Sequence, residues 1–321
     1  MTPQIHLRKG KEESLLRRHP WIFSGAVDYI AAEDESEIRE GAVVDVYTHS
    51  GDFIARGHYQ IGSIAVRVLT FRDEPIEAAW WERRIAAAWD VRRTLGLSDD
   101  GDTTCFRLVH GEGDSLPGLV IDLYGRTAVV QCHSAGMYRA RLDVAAALHA
   151  VLGDRLEAVY DKSSQTVPFN ARLGAVDGYL RGASEHKTHT VREHGLQFLV
   201  NWEEGQKTGF FLDQRENREL VRRYAAGRTV LNTFCYTGGF SVYALAGGAR
   251  EVCSVDSSER AVRLAGENVR LNFGDAAPHT ALAADAVEYL KDIGDRYDLI
   301  ILDPPAFAKH HKVLGLSLIH I

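Results

Sequence analysis

The pattern of apolar and polar positions predicts strands at the start of the chain. Two runs, Ala42 to Tyr47 and Ile64 to Phe71, alternate apolar and polar residues between turn signals. Alternation with a period of two is typical of strands that bury one face. We therefore expect a small β-barrel or sheet over residues 1–73.

A helix then marks a change in organisation. Its apolar residues recur at helical spacing from Ile76, and Gly96 provides a stop signal. Strand-like runs and a second helical run, ARLDVAAALHAVLG, follow it. Residues 76–185 are therefore expected to form a mixed α+β domain. The helical spacing of three aromatic residues favours core packing over ligand binding: Trp80, Trp81 and Trp89.

From about residue 190, strands and helices alternate along the chain. This pattern indicates a parallel sheet with crossover helices. A third domain is therefore expected over residues 190–321, which makes the chain a multidomain α/β protein.

Composition narrows the class of protein. The 321 residues are 45% apolar and 25% charged, as in an ordinary globular protein. No apolar run is long enough for a membrane helix, and the first residues lack the apolar core of a secretory signal, so we expect a cytoplasmic protein without membrane contact. A net charge of −7 argues against a protein that coats nucleic acid indiscriminately.

The four cysteines lie far apart and form no CxxC pair, which argues against a disulfide scaffold or a zinc ribbon. We expect no metal site, and we interpret all four as structural or as incidental neighbours of a ligand: Cys105, Cys132, Cys235 and Cys253.

The most informative stretch is TVLNTFCYTGGFSVYALAGGA. An apolar strand, Thr229 to Phe234, leads into a turn that contains Gly238 and Gly239, and a helix follows. Glycines at such a turn let a ligand approach the backbone, and the helix N-terminus offers unpaired N–H donors. The turn lacks the G-x-G-x-x-G of a dinucleotide site, and the glycines alone also fit an ordinary α/β turn.

Three acidic residues end the strands that follow. Asp256 ends EVCSVD, Asp285 ends TALAAD, and Asp303 ends YDLIILDPP. An acid at the position of Asp256 is placed to accept hydrogen bonds from a ribose. Each acid alone could be a solvated loop carboxylate, but three in register indicate a nucleoside-binding crevice at the carboxyl ends of the strands.

This order of motifs resembles the class I S-adenosylmethionine (SAM)-dependent methyltransferases. RRHPWIFSGAV, RLVHGEGDSLPGLVIDLYG and EEGQKTGFFLDQRENRELVRRY extend the likeness over residues 5–312, to the PUA-domain-containing 23S rRNA cytosine-C5 methyltransferases. The resemblance implies a PUA-like β-barrel, a central α+β domain and a Rossmann-like methyltransferase sheet. It also implies SAM as cofactor, 23S rRNA as partner and, by analogy, a homodimer.

The resemblance also implies roles for individual residues. Asp256 would hold the ribose hydroxyls, and Asp285 would accept from the adenine amine. The remaining residues of the turn and of the third strand end would complete the cofactor site: Asn232, Thr233, Cys235, Gly238 and Ala286. The segment before the sheet would close over the amino-acid end of SAM: Lys207, Phe211, Asp213, Gln214 and Arg215. Asp303, Pro304 and Pro305 would line the target-base pocket.

Read from its residues alone, the segment before the sheet leaves alternatives open. Asp213 and Glu216 have the spacing of a helix capping box, so both could be structural caps. Three arginines on neighbouring helical turns could form a phosphate-facing stripe or a solvated face: Arg218, Arg222 and Arg223. Lys207 lies between two glycines, where a flexible backbone favours a ligand-binding role.

The N-terminus carries a basic cluster that suits RNA, with cations for phosphate and an aromatic side chain for stacking: Arg8, Lys9, Lys11, Arg17, Arg18 and Trp21. The alternative is a charged surface with Trp21 in the core. As the start of a PUA-like module, the cluster is interpreted as RNA-binding.

Methyl transfer to cytosine C5 needs a cysteine that adds at C6. In the resembled family this residue lies well beyond the DPP motif, and none of the four cysteines is there. The tail VLGLSLIHI, from Val313, looks foreign to the family. We therefore expect a C-terminally truncated chain with an incomplete sheet, which lacks the nucleophile and is inactive.

Two other functions stay open at this stage. One is methylation of a base amino nitrogen, although Ala306 here separates the prolines from Phe307. The other is a non-catalytic RNA-binding assembly factor that keeps a vestigial cofactor fold.

Overall fold

The computed structural model describes residues 2–32, 38–97, 101–168, 171 and 173–305. The chain forms two compact units. The first contains Met1–Lys187 and Asn201–Phe210, and the second contains Thr188–Val200 and Phe211–Ile321. The division into three domains stays a prediction. The foreign-looking tail lies outside the described residues.

The first unit contains eleven strands and four α-helices among its described residues. The strands are β1 (Gln4–Leu7), β2 (Trp21–Phe23), β3 (Val27–Ala31), β4 (Val43–Tyr47), β5 (Phe53–Tyr59), β6 (Ile64–Thr70), β7 (Cys105–His110), β8 (Leu119–Tyr124), β9 (Thr127–Cys132), β10 (Ala158–Asp161) and β11 (Gly178–Arg181). The helices are α1 (Glu13–Leu16), α2 (Ala78–Thr94), α3 (Ala135–Arg139) and α4 (Arg141–Leu152).

The predicted N-terminal strands form a six-stranded sheet in the order β2-β6-β5-β4-β1-β3. Its core includes Ile5, Val44, Val46 and Val66, each with no exposed surface. Strands β2 and β6 pair antiparallel at one end of this order, and their register sets Trp21 opposite Arg67. Trp21 and Arg67 are therefore cross-strand neighbours.

The second sheet of this unit has the order β11-β10-β9-β8-β7. Helices α2 and α4 pack against each other and supply much of the apolar core. Trp80 and Trp81 are each 2% exposed and Trp89 is 8% exposed, which confirms the prediction that they are core residues.

The second unit begins with a hairpin and continues as a parallel α/β sheet. Its strands are β12 (His189–Glu193), β13 (Leu196–Val200), β14 (Thr229–Thr233), β15 (Glu251–Asp256), β16 (His279–Ala283) and β17 (Leu299–Leu302). Its helices are α5 (Arg215–Tyr224), α6 (Gly239–Ala246), α7 (Glu259–Phe273) and α8 (Ala286–Lys291).

The parallel sheet has the order β16-β15-β14-β17. From β14 the chain builds outward through β15 and β16, and then returns to place β17 on the other side of β14. Ligands bind at such a reversal of strand order, beyond the carboxyl ends of the strands. The topology thus confirms the predicted parallel sheet and locates its crevice. None of the helices described here is long and apolar enough to cross a membrane.

Candidate active site

The turn after β14 has a strained backbone. Phe234, Tyr236 and Gly238 have φ angles of 53°, 46° and 74°. Gly238 packs closely on α7, because a Cβ added to it would lie 2.7 Å from the Cβ of Ala265. Glycine is therefore required here both by the φ angle and by the close approach of the helix.

Asp256 holds this turn from the end of β15. Its Oδ2 accepts a hydrogen bond from the Tyr236 N–H at 2.9 Å, and its Oδ1 accepts from the Ser258 N–H at 3.0 Å. A carboxylate has about four acceptor sites, so both oxygens keep capacity for further donors. Asp256 can thus fix the turn and still accept from the two hydroxyls of a ribose, which fits the adenosine part of SAM.

Asp285 has a structural role. Its Oδ1 accepts from the N–H groups of Val287 and Glu288 at 2.8 and 3.0 Å and caps the N-terminus of α8. This capping accounts for the acid without any ligand. Ala286 beside it is buried.

Asp303 follows β17 directly and is exposed, as are Pro304 and Pro305. Its Oδ2 accepts a hydrogen bond at 3.2 Å from the side-chain amide of Gln214. The structure therefore brings together one residue of the segment before the sheet and the first residue of the DPP motif.

Two predicted cofactor residues use their side chains inside the protein. The Asn232 side chain donates to the Ser241 hydroxyl at 2.8 Å, and the Thr233 hydroxyl donates to the Ile301 carbonyl at 2.8 Å. Both side chains are buried. Their side-chain polar groups therefore stabilise the sheet and α6.

The segment before the sheet is divided between the units. Lys207 is exposed, has a φ of 50° and lies in the first unit, whereas Phe211, Asp213, Gln214 and Arg215 lie in the second. In the second unit the Phe211 ring meets the Tyr236 ring edge-on at 5.4 Å. Phe211 and Gln214 therefore reach the glycine turn and the DPP motif, respectively.

The loop that carries Lys207 is anchored on the sheet formed by β7 to β11. The Thr208 hydroxyl donates to the fully buried Asp122 carboxylate at 2.6 Å, and the Phe210 N–H donates to the Tyr124 hydroxyl at 3.2 Å. Lys162 donates to the Gly205 carbonyl at 2.6 Å. None of these anchors was predicted, because Asp122 and Thr208 are 86 residues apart.

The predicted capping box is wrong. Helix α5 begins at Arg215 with Gln214 as its N-cap, and no side chain caps it. Asp213 lies in a preceding helical turn and is exposed, and Glu216 accepts from Arg215 at 3.1 Å instead.

Both interpretations of Arg218 are also wrong. Arg218 is 2% exposed and donates to both carboxylate oxygens of Glu193 at 2.7 and 2.8 Å. It therefore faces neither phosphate nor solvent. Arg222 and Arg223 pair with Glu219 at the helix surface, at 3.7 and 3.6 Å.

All four cysteines are buried, and none forms a disulfide. Burial, with a smaller contribution from the Asp256 charge, raises the pKa of Cys235 to about 12. Burial also raises the pKa of Cys132 to about 12. A protonated, buried thiol is a poor nucleophile. These observations agree with the interpretation that the cysteines are structural. No group of His, Cys, Asp and Glu among the described residues could hold a metal ion.

The predicted RNA-binding cations lie at the surface of the first unit: Arg8, Lys9, Lys11, Arg17 and Arg18. Trp21 is partly exposed rather than a core residue, and its Nε1 donates to Glu112 at 2.9 Å. Arg18 stacks over the Phe71 ring at 4.9 Å. Glu112 lies within RLVHGEGDSLPGLVIDLYG, one of the stretches that carry the family resemblance.

Comparisons with known proteins agree with this fold. Residues 167–320 match the S-adenosylmethionine-dependent methyltransferase family model, and residues 5–71 match the PUA-like domain model. Ribosomal RNA large subunit methyltransferase I of Klebsiella pneumoniae (strain 342) is 41% identical over 98% of this chain and 78% of that protein. The protein of the same name from Escherichia coli O139:H28 is 39% identical over the same shares.

A solved structure shares the architecture. The crystal structure of SMU.776, described as a methyltransferase complexed with SAH, aligns with a TM-score of 0.79 and 27% identity over 97% of this chain and 78% of that chain. Fold and site together define a SAM-dependent methyltransferase with a PUA-like domain. The chain belongs to the family of ribosomal RNA large subunit methyltransferase I. The predicted fold class, enzyme class and cofactor are thereby confirmed.

Proposed function

We propose that this chain binds SAM and RNA for the methylation of 23S rRNA at C5 of a cytosine. The relatives named above are methyltransferases of large-subunit ribosomal RNA. The observation that carries the proposal is the Asp256 carboxylate, which braces the glycine turn at the reversal of strand order and keeps acceptor capacity. The same proposal places the protein in the cytoplasm, with its substrate.

The proposed cofactor site is centred on Asp256. SAM supplies an electrophilic methyl group when it is bound. Asp256 would accept from the ribose hydroxyls, and the backbone between Thr233 and Gly238 would pass under the methionine part. Asp285 caps α8 through Oδ1, so its adenine contact would use Oδ2 beside the buried Ala286. Phe211 would support the turn through its contact with Tyr236.

The proposed target-base pocket is lined by Asp303, Pro304 and Pro305. The exposure of all three leaves room for a base, and Gln214 fixes one oxygen of Asp303. Asp213, Arg215 and Lys207 are proposed to contact the amino-acid end of SAM, as the family resemblance implies. The exposure of Asp213 and Lys207 supports this role.

The RNA would be held by the basic N-terminal cluster. Its five cations are exposed, so they can contact phosphates without breaking buried ion pairs. Trp21 offers a partly exposed aromatic surface beside them.

The C5 chemistry requires a thiolate that adds at C6. C5 then takes the methyl group, and removal of the C5 proton by a base expels the thiolate and restores the C5–C6 double bond. The burial of all four thiols, and the raised pKa of Cys132 and Cys235, argue against each as that nucleophile. We therefore assign binding of SAM and RNA to this chain, and no nucleophile to its cysteines.

A test combines binding, trapping and transfer. Purified chain is incubated with labelled SAM and with 23S rRNA fragments that contain 5-fluorocytidine, which traps a C6 thiol adduct. We expect SAM and RNA binding, no covalent adduct and no turnover. Label on a base amino nitrogen would replace the proposal with the amino-nitrogen alternative, because that chemistry needs no cysteine. RNA binding without SAM binding would favour the assembly factor. Adduct formation through any of the four cysteines would overturn their exclusion as nucleophiles.

A further inference from the structure

An open cleft of about 220 Å³ lies in the first unit. Its walls come from β6, from the turn between β7 and β8, and from the residue after β9. The polar side chains that line it are Arg67, His110, Glu112 and His133, and Gly118 forms part of its wall. No residue of this lining was predicted to bind a ligand.

Aromatic side chains adjoin the cleft. Trp21 is the cross-strand neighbour of Arg67, and its Nε1 donates to the cleft residue Glu112 at 2.9 Å. The Trp21 ring meets the rings of His19 and Phe23 edge-on, at centroid distances of 5.9 and 6.4 Å. Phe23 is 49% exposed. The cleft is thus bordered by a cluster of aromatic rings at the protein surface.

The cleft combines donors with one acceptor. Arg67 is half-buried and donates one Nη1 bond to Gln60 at 2.8 Å, which holds its guanidinium in place. Burial and the charge of Arg107 lower the pKa of His133 against the opposing charge of Glu112, so the neutral ring can donate and accept. Glu112 supplies the acceptor. This donor-rich set suits the edge of a nucleobase together with its phosphate.

We propose that this cleft binds one unpaired ribonucleotide of the substrate RNA. The base would stack on Trp21, and Arg67 with the two histidines would contact its edge and phosphate. Unpaired bases are recognised in this way, by stacking on aromatic side chains and hydrogen bonding at their edges. The volume lies below the ~300–1,000 Å³ of pockets for drug-sized ligands, which suits one base rather than the end of a duplex. The inference rests on RNA being the substrate class.

The experiment compares two RNA probes with two aromatic variants. The probes are a fluorescein-labelled single strand of roughly 12 nucleotides, within the usual site size, and the duplex of the same sequence. Trp21→Ala should weaken binding of the single strand about fivefold to 100-fold, the range for loss of one base stack, and should leave duplex binding nearly unchanged. The matched control is Tyr29→Ala, since Tyr29 is 54% exposed and lies at the other end of the same strand order.

A second variant separates stacking from folding. Trp21→Phe keeps a stacking ring and loses the bond to Glu112, so it should retain most of the affinity for the single strand. Photo-crosslinking of the same RNA with 4-thiouridine should label Trp21, His110 or His133. Equal single-strand affinity of wild type and Trp21→Ala, or crosslinks only elsewhere, would overturn the proposal while RNA binding stands. Absence of RNA binding by wild type would overturn both this proposal and the RNA substrate.

Discussion

Arg218 donates from Nε and Nη2 to the two carboxylate oxygens of Glu193, at 2.7 and 2.8 Å, inside the second unit. The pair joins α5 to the hairpin, and the Tyr243 hydroxyl donates to the same carboxylate at 3.0 Å. A charge left alone at this site would be buried and uncompensated.

Arg218→Met should therefore lower the free energy of unfolding of the second unit by about 3–5 kcal/mol. Urea titration followed by circular dichroism measures the change. Arg222→Met, one helical turn later at the surface, is the control and should cost at most about 1 kcal/mol. Equal stability of the two variants would contradict the burial of the pair. Arg218→Met combined with Glu193→Met should recover part of the loss.

Gly238 allows a second comparison, with a glycine of similar φ angle in the same unit. Gly238 and Gly195 have φ angles of 74° and 79°, but a Cβ at Gly195 meets nothing within 4 Å. Gly195→Ala should therefore cost about 1–2 kcal/mol from the backbone alone. Gly238→Ala should cost more, because its Cβ would displace Ala265, and it should also weaken SAM binding. Equal costs in urea unfolding, with unchanged SAM affinity, would refute the close packing of the turn on α7.

His58 makes the stability of the first unit depend on pH. Burial, with the Arg67 charge as a smaller cause, lowers the pKa of His58 from 6.5 to about 4. Between these values the unfolded ring binds a proton and the native ring does not. Stability from this group is therefore fully present above about pH 6.5 and falls as the pH drops to about 4, by at most about 1.4 kcal/mol per unit.

His58→Phe should flatten this pH dependence, which urea unfolding over the same pH range measures. The substitution suits the site, because the ring lies 6.4 Å from that of Trp81 and Nδ1 is buried without a hydrogen-bond partner among the described residues. Carboxylates titrate in both the wild type and the variant, so the test is the difference between the pH slopes of their unfolding free energies. Identical slopes would show that His58 titrates normally.

The reactivity of the thiols tests directly whether any of the four cysteines is the nucleophile. Burial raises the pKa of Cys132 and of Cys235 to about 12, and all four cysteines are buried. A thiol reagent at neutral pH should therefore label the native chain slowly and the urea-unfolded chain at all four positions. Rapid labelling of one thiol in the native chain would identify an exposed thiolate and reopen that cysteine as a nucleophile.

Features that repeat along the chain could be predicted from sequence. The period of the apolar residues located the helix with Trp80 and the strands of the parallel sheet. The order of strands then located Asp256 at a strand end, because parallel strands share one carboxyl edge. Its hydrogen bond to Tyr236 followed only from the folded turn.

Pairings between distant segments could not be predicted. The helical spacing alone places Arg218 on a polar helix face. Its partner, Glu193, is 25 residues earlier on a hairpin, so the spacing could not indicate the buried pair. The capping box failed for a related reason, since α5 begins two residues after Asp213. The cleft beside Trp21 could be predicted only if two things were known together. These are the register of β2 against β6 and the position of the distant turn that contains Glu112.

The central claim, that the site at Asp256 binds SAM, is tested most directly by isothermal titration calorimetry. Wild type should bind SAM. Asp256→Ala should reduce the affinity at least about 100-fold, since two hydrogen bonds to a charged group, ~1.5–3 kcal/mol each, and the brace of the turn are lost together. Asp275→Ala, an exposed acid beyond α7, is the control and should bind as wild type does. Unchanged affinity of a folded Asp256→Ala variant, or no binding by wild type, would contradict the account.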